Sequence, residues 1–187
     1  MAPKVKISRE DIVNAAVEIV RRHGAATVNA RTVAAELNCS TQPVFSNFPT
    51  MENLRLAVWE QAMRIYETFS HREKEEGSFP AYKAEGMAYI RFAKDEKELI
   101  KLLFMRDLKG QDTDVEANSF AQIAIMVHKL TGLDRETATR FHMEMWAFVH
   151  GIATMFATNY LDLDWDLVSG MITDVYMGLR KQYGLEG

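Results

Sequence analysis

A single cysteine, Cys39, stands in a chain of 187 residues. That excludes an intrachain disulfide framework and fits a reducing compartment. Prolines number only four, and no alternating apolar run bounded by turn residues appears, so the expected fold class is all-α. No uninterrupted apolar run approaches the roughly 18 residues of a membrane span. A secretory signal is not expected, because Lys4, Lys6, Arg9, Glu10 and Asp11 interrupt the region where its apolar stretch would lie. The expected location is the cytoplasm, with no membrane partner. Catalytic signatures are missing as well. The chain has no Glu-x-x-His pair for a di-metal carboxylate bundle, no phosphate-binding glycine loop, no zinc-type cysteine pairing and no Gly-x-Ser-x-Gly elbow. No metal, no cofactor and no enzymatic activity are therefore expected.

What remains suits a globular protein. Hydrophobic residues make up 48% of the chain and methionine is plentiful, at 11, enough to bury the core of one or two domains. The formal charge of −4 is unevenly spread. Residues 1–50 hold Lys4, Lys6, Arg9, Arg21, Arg22 and Arg31 against Glu10, Asp11, Glu18 and Glu36, a balance of +2 that leaves −6 for the remainder. A mildly basic head on an acidic body is consistent with nucleic-acid binding at one end.

Residues 29–54 organise the rest. Asn29 is placed to cap a short helix carrying Val33, Ala34 and Leu37 on one face, and Asn38 to end it, since Asn tolerates the left-handed conformation. Ser40 is expected to cap a second helix that opens Thr41-Gln42-Pro43, where a proline has no intrahelical bond to lose. Val44, Phe45 and Phe48 are expected to pack back on the first helix. Two short helices joined by a tight turn, the second presenting small polar side chains, form a DNA-reading device.

Upstream, residues 1–7 read as an arm with Lys4 and Lys6 available to phosphates. Ser8 and Asp11 mark the start of a helix whose stripe is Ile12, Ala15, Ala16, Ile19 and Val20, and Gly24 stops it. Downstream, Thr50 is placed to cap a helix over 51–76, about 39 Å long at 1.5 Å per residue. It links a head at 1–50 to a body at 51–187. Five more helices follow: from Phe79-Pro80 to near Lys94; from an Asp95 cap through Met105; from Val115 to Leu130 after a polar loop Lys109–Asp114; from Asp134 to near Asn159; and from Asp164 to Tyr183. The count is nine.

The head resembles the TetR family of one-component transcriptional regulators. The family's sequential motifs correspond here to Val33-Ala34, Asn38-Cys39-Ser40, Val44-Phe45-Ser46-Asn47-Phe48 and Thr50-Met51-Glu52-Asn53-Leu54. A stretch common in the family's eighth helix is similar to Trp146-Ala147-Phe148-Val149-His150-Gly151. The resemblance implies an all-α homodimer with an N-terminal DNA-binding domain and a C-terminal ligand-binding and dimerisation domain. Four positions depart from the family pattern: Asn38 for Gly, Phe45 for Tyr, Asn47 for His and Met51 for Lys. The last three remove a hydroxyl, a possible charge and a cation, so phosphate anchoring is expected to be lighter than in the family at large unless Lys4, Lys6 and Arg31 compensate.

The candidate DNA contacts are Lys4, Lys6, Arg31, Ser40, Thr41, Gln42, Pro43, Phe45, Ser46, Asn47 and Met51. Gln42 leads, because its amide pairs bidentately with adenine. Phe45 and Phe48 read mostly as core, with the Phe45 ring edge within reach of sugar or a thymine methyl. A pocket in the body is expected among Met87, Phe92, Phe104, Phe120, Met126, Phe141, Met145, Trp146 and His150, since flexible Met and aromatic walls adapt to apolar ligands. His128 and His142 are further polar handles. Gly151, Gly170 and Gly178 lie inside helices, each at a cost of about 1 kcal/mol against Ala. Close approach of two subunits would offset that cost, with Met155, Met171 and Val175 beside them. The expected function is a regulator, most simply a repressor, released from operator DNA by a small apolar or amphipathic effector. The competing reading is a helical ligand-binding or dimerisation protein whose head no longer binds DNA.

Overall fold

In the computed structural model, which describes residues 7–77, 79–106 and 114–185 (of 114–119 the backbone only), nine α-helices and one 3₁₀ turn follow one another. They are α1 (Arg9–His23), the 3₁₀ turn (Ala25–Thr27), α2 (Ala30–Glu36), α3 (Gln42–Asn47), α4 (Met51–Glu76), α5 (Ala81–Asp95), α6 (Lys97–Phe104), α7 (Asp114–Thr131), α8 (Arg135–Ala157) and α9 (Trp165–Gln182). No strand occurs among the described residues. Lys4, Lys6 and most of the polar loop expected over Lys109–Asp114 lie outside them.

The helices group into two compact units, one of residues 1–68 and 96–106, the other of 69–95 and 107–187. Helix α4 therefore contributes to both, and α6 belongs with the N-terminal helices.

In the first unit, local hydrogen bonds set the helix ends. Ser8 and Asp11 form a reciprocal capping box: the Ser8 N–H donates to Asp11 Oδ2 (2.8 Å) and the Asp11 N–H to Ser8 Oγ (3.0 Å). The Ser8 hydroxyl also donates to Asp11 Oδ2 (2.7 Å), and this bond first, with that from the Ser8 N–H second, holds the Asp11 carboxyl below its ordinary pKa. Gly24 ends α1 at φ 80°, ψ 159°, a conformation open essentially to glycine alone. Asn29 caps α2, its Oδ1 accepting from the N–H groups of Arg31 and Thr32 at 3.0 and 3.1 Å. Asn38 follows α2 with φ 50°. Its N–H bonds the Ala35 carbonyl and that of Cys39 the Ala34 carbonyl, a complete Schellman closure.

Two expected caps are corrected. The residue flanking α3 is Thr41, in helical conformation and without a side-chain cap bond, so Ser40 lies one position too early to serve. Asp95 ends α5, and Glu96 stands before α6 without capping it. The Glu96 carboxylate is taken up by Arg21 of α1, which donates through Nε (2.9 Å) and Nη2 (2.7 Å). That bidentate pair adds to apolar packing of α6 on α1. Ile12, Ala16, Val20, Val33, Val44, Phe48, Leu54, Leu99, Ile100 and Leu103 are all buried in this unit.

In the second unit α8 packs against α5, α7 and α9, and α5 also meets α9. Asp134 caps α8 through the Thr137 N–H (3.0 Å), and Asp164 caps α9 through the N–H groups of Asp166 and Leu167. Its fully buried residues include Ile90, Phe92, Ala138, Phe141 and Val168. A Cβ on Gly86 of α5 would stand only 3.3 Å from Val149 Cγ2 of α8. This glycine permits the close approach of the two helices.

Candidate functional site

The six residues of α3 divide into two faces. Val44 is fully buried, and Phe48, just past the helix, is 1% exposed. Gln42, Phe45 and Ser46, at i, i+3 and i+4, are exposed together. Phe45 departs from expectation: its ring is 50% exposed and does not join the core, which Val44 and Phe48 complete without it. Thr41, Pro43 and Asn47 are half-buried. The Asn47 amide is already committed, donating to the Pro43 carbonyl at 2.8 Å.

Helix α1 braces this element. The Arg9 guanidinium lies over the Phe48 ring, 4.2 Å from its centroid, and donates to the Asn47 carbonyl (3.5 Å). Cation–π contact at that range holds the end of α3 against α1. Around α3, positive charge is sparse. Arg31 is exposed in the first turn of α2 and has no ion-pair partner among the described residues. Arg22 is paired with Glu36 and Arg55 with Glu52. Ser40 is exposed beside the turn, and Met51, half-buried, opens α4, whose first turn Thr50 caps through the Asn53 N–H (3.2 Å).

The second unit contains an aromatic and imidazole cluster. Phe120 lies 4.4 Å from the His142 ring, and Phe141 packs against Tyr82, Tyr176 and Tyr183 at 6.4, 5.8 and 5.6 Å. Trp146, 37% exposed, stacks on His150 at 4.8 Å. Met87 and Met145 are buried, Met126 is half-buried, and Phe92 is buried edge-on to Phe69. Phe104 is not with them: it sits on α6 in the first unit, edge-on to Tyr66 at 5.1 Å.

Two tyrosines that the sequence reading passed over hold the histidines. The Tyr82 hydroxyl meets His142 Nδ1 at 3.0 Å, and the Tyr89 hydroxyl meets His150 Nδ1 at 2.8 Å. With each tyrosine O–H donating, each imidazole is neutral at Nδ1. Burial lowers the pKa of both, that of His142 to about 4, and raises that of Tyr82. The signal was present in the spacing: Tyr82 and Tyr89 lie seven apart, His142 and His150 eight apart, both near two helical turns. His128 is satisfied locally by the Leu133 carbonyl.

Gly151 on α8 and Gly170 and Gly178 on α9 have no atom within 4 Å of where a Cβ would stand. No approach among the described residues therefore explains them. Met155, Met171 and Val175 are half-buried nearby in sequence, and Leu167 and Met177 on α9 are over half exposed. The glycine that packs against a side chain of another helix in this unit is Gly86.

The chain is similar to known proteins. The family described as tetracyclin repressor-like, C-terminal domain, matches residues 83–173. The chain is 26% identical, over 190 residues, to an uncharacterised HTH-type transcriptional regulator of Mycobacterium tuberculosis, spanning 100% of this chain and 85% of that protein. Among solved structures it is similar to the multidrug binding protein EbrR complexed with imidazole, with a TM-score of 0.57 and 19% identity over 89% of this chain and 93% of that one. At that identity the likeness speaks to the fold.

Proposed function

Because the chain belongs to the TetR family of transcriptional regulators, we propose that it is a ligand-responsive DNA-binding regulator acting as a repressor. The observation that carries this reading is the exposed Gln42–Phe45–Ser46 face of α3, held by Arg9 and Phe48 on a helix-turn-helix. Residues 1–50 form the reading head and 51–187 the ligand and dimerisation part. Gln42 reads a base edge, Thr41, Ser46 and Asn47 support it, and Arg31, Ser40 and the arm lysines Lys4 and Lys6 meet phosphates.

The protein acts as a cytoplasmic homodimer, joined through the open glycine faces of α8 and α9, with its heads about one turn of DNA apart. A small apolar or amphipathic effector occupies the aromatic and methionine-rich second unit. Helix α4 runs unbroken from Met51 to Glu76 and belongs to both units, so a shift of α4 carries the signal. A coupling of ~1–3 kcal/mol would change operator affinity some 5- to 150-fold. No catalysis is assigned to it.

Selection from random DNA, followed by titration at fixed salt, tests the reading. A preferred site should emerge, and Gln42→Ala should relax preference at one position by about 1–3 kcal/mol. Arg31→Ala should weaken all sequences alike and flatten the salt dependence by about one. If wild type selects no sequence, the alternative of a helical ligand-binding protein without DNA binding takes its place.

A further inference from the structure

We infer that the Phe45 ring is a specificity-determining element that reads thymine C5-methyl groups, so that the preferred site is an A·T-centred one. This inference rests on the DNA-binding reading above.

Three observations on α3 support it. First, a large apolar ring is left half exposed on a six-residue helix whose buried apolar side chain is Val44. Half an aromatic surface in water is unfavourable in the free protein, and a partner that covers it recovers that free energy. Second, its neighbours on the exposed face are Gln42 and Ser46, and α3 carries no charged residue at all. The contacts that select guanine through Arg or Lys, or cytosine through Asp or Glu, are unavailable from this helix. What the face does offer is an amide, suited to adenine N6 and N7, beside an apolar ring, suited to the thymine methyl. Third, one N–H of the half-buried Asn47 amide donates to the Pro43 carbonyl, which makes Gln42 the exposed amide on α3. With a phenyl ring and no hydroxyl, Phe45 gains nothing from a phosphate oxygen. Its favourable contact in the major groove is apolar, and the thymine methyl is the apolar group a base edge presents there.

The experiment uses the full chain and the site obtained by random selection. Each thymine is replaced in turn by deoxyuridine, which removes the methyl and keeps the base pairing, and binding is titrated at one salt concentration for wild type and Phe45→Ala. For wild type, one or two thymines per half-site should show a loss of about fourfold per methyl, the scale of one buried carbon group. Phe45→Ala should lose a similar factor on the thymine site and show no further loss with deoxyuridine. At the same position, 5-methylcytosine should bind wild type better than cytosine, and Phe45→Ala should not distinguish them. The ring is outside the core, so an unchanged circular dichroism spectrum and melting temperature should accompany the variant. The inference is overturned if wild type tolerates deoxyuridine at every thymine, or if Phe45→Ala keeps the wild-type ratio between thymine and deoxyuridine. Failure to select any site would instead overturn the DNA-binding reading, and this inference with it.

Discussion

Acidification should weaken the second unit through His142, and the size of the effect follows from its surroundings. The imidazole is 6% exposed, accepts a hydrogen bond from the Tyr82 hydroxyl at Nδ1 and lies against the Phe120 ring. Burial brings its pKa from 6.5 to about 4. The folded state therefore prefers the neutral ring, while the unfolded chain takes up a proton as pH falls below 6.5. Between those two values the unfolded state binds more protons, so stability is full above pH 6.5 and declines down to about pH 4. The total loss is about 3 kcal/mol, and about 2 kcal/mol of it has appeared by pH 5. For a chain of this length that corresponds to a fall of about 4–8 °C in Tm. Urea unfolding at pH 7.5, 6 and 5 for wild type and His142→Gln separates this effect from the carboxylates common to both. His142→Gln starts less stable but should lose about 2 kcal/mol less on going to pH 5, and the His142 resonance should titrate well below 6 in the folded protein. Equal pH slopes in the two proteins would refute the reasoning.

Three further outcomes are expected. Arg21→Met with Glu96→Gln in a double-mutant cycle should show a coupling of about 1–2 kcal/mol in urea unfolding, because the pair is bidentate and its side chains are only 32% and 22% exposed; a coupling near zero would mean that apolar packing alone holds α6 to α1. Gly24→Ala should cost about 1–3 kcal/mol, since φ is +80° there, and Glu98→Ala should not rescue it, because the Glu98 Oε2 near that position ends a flexible side chain. Gly151→Leu and Gly178→Leu meet open space within the chain, so both should fold; sedimentation should show a weakened dimer, and unchanged association would move the interface elsewhere.

The sequence by itself determined the helices and most of their ends. Ser8 with Asp11, Asn29, Thr50, Asp134 and Asp164 act within three residues of themselves, and Gly24 and Asn38 answer a local backbone requirement. Short-range hydrogen bonds of that kind are legible in a string of residues. The helix-turn-helix was legible for the same reason. What only the tertiary structure decided were contacts between residues far apart in the chain. Glu96, standing at the cap position of α6, gives its carboxylate to Arg21, 75 residues away, and makes no side-chain cap bond. Tyr82 and Tyr89 found His142 and His150 across some 60 residues, and Phe104 went with the first unit because α6 packs on α1. Phe45 shows the limit most plainly. It adjoins the buried Val44 in the chain, yet Val44 and Phe48 are the residues that enter the core, Phe48 under the Arg9 guanidinium, and the Phe45 ring is left half exposed. Which of several apolar residues on a short helix reaches the core depends on the volume its neighbours leave, and that volume exists only in the folded protein.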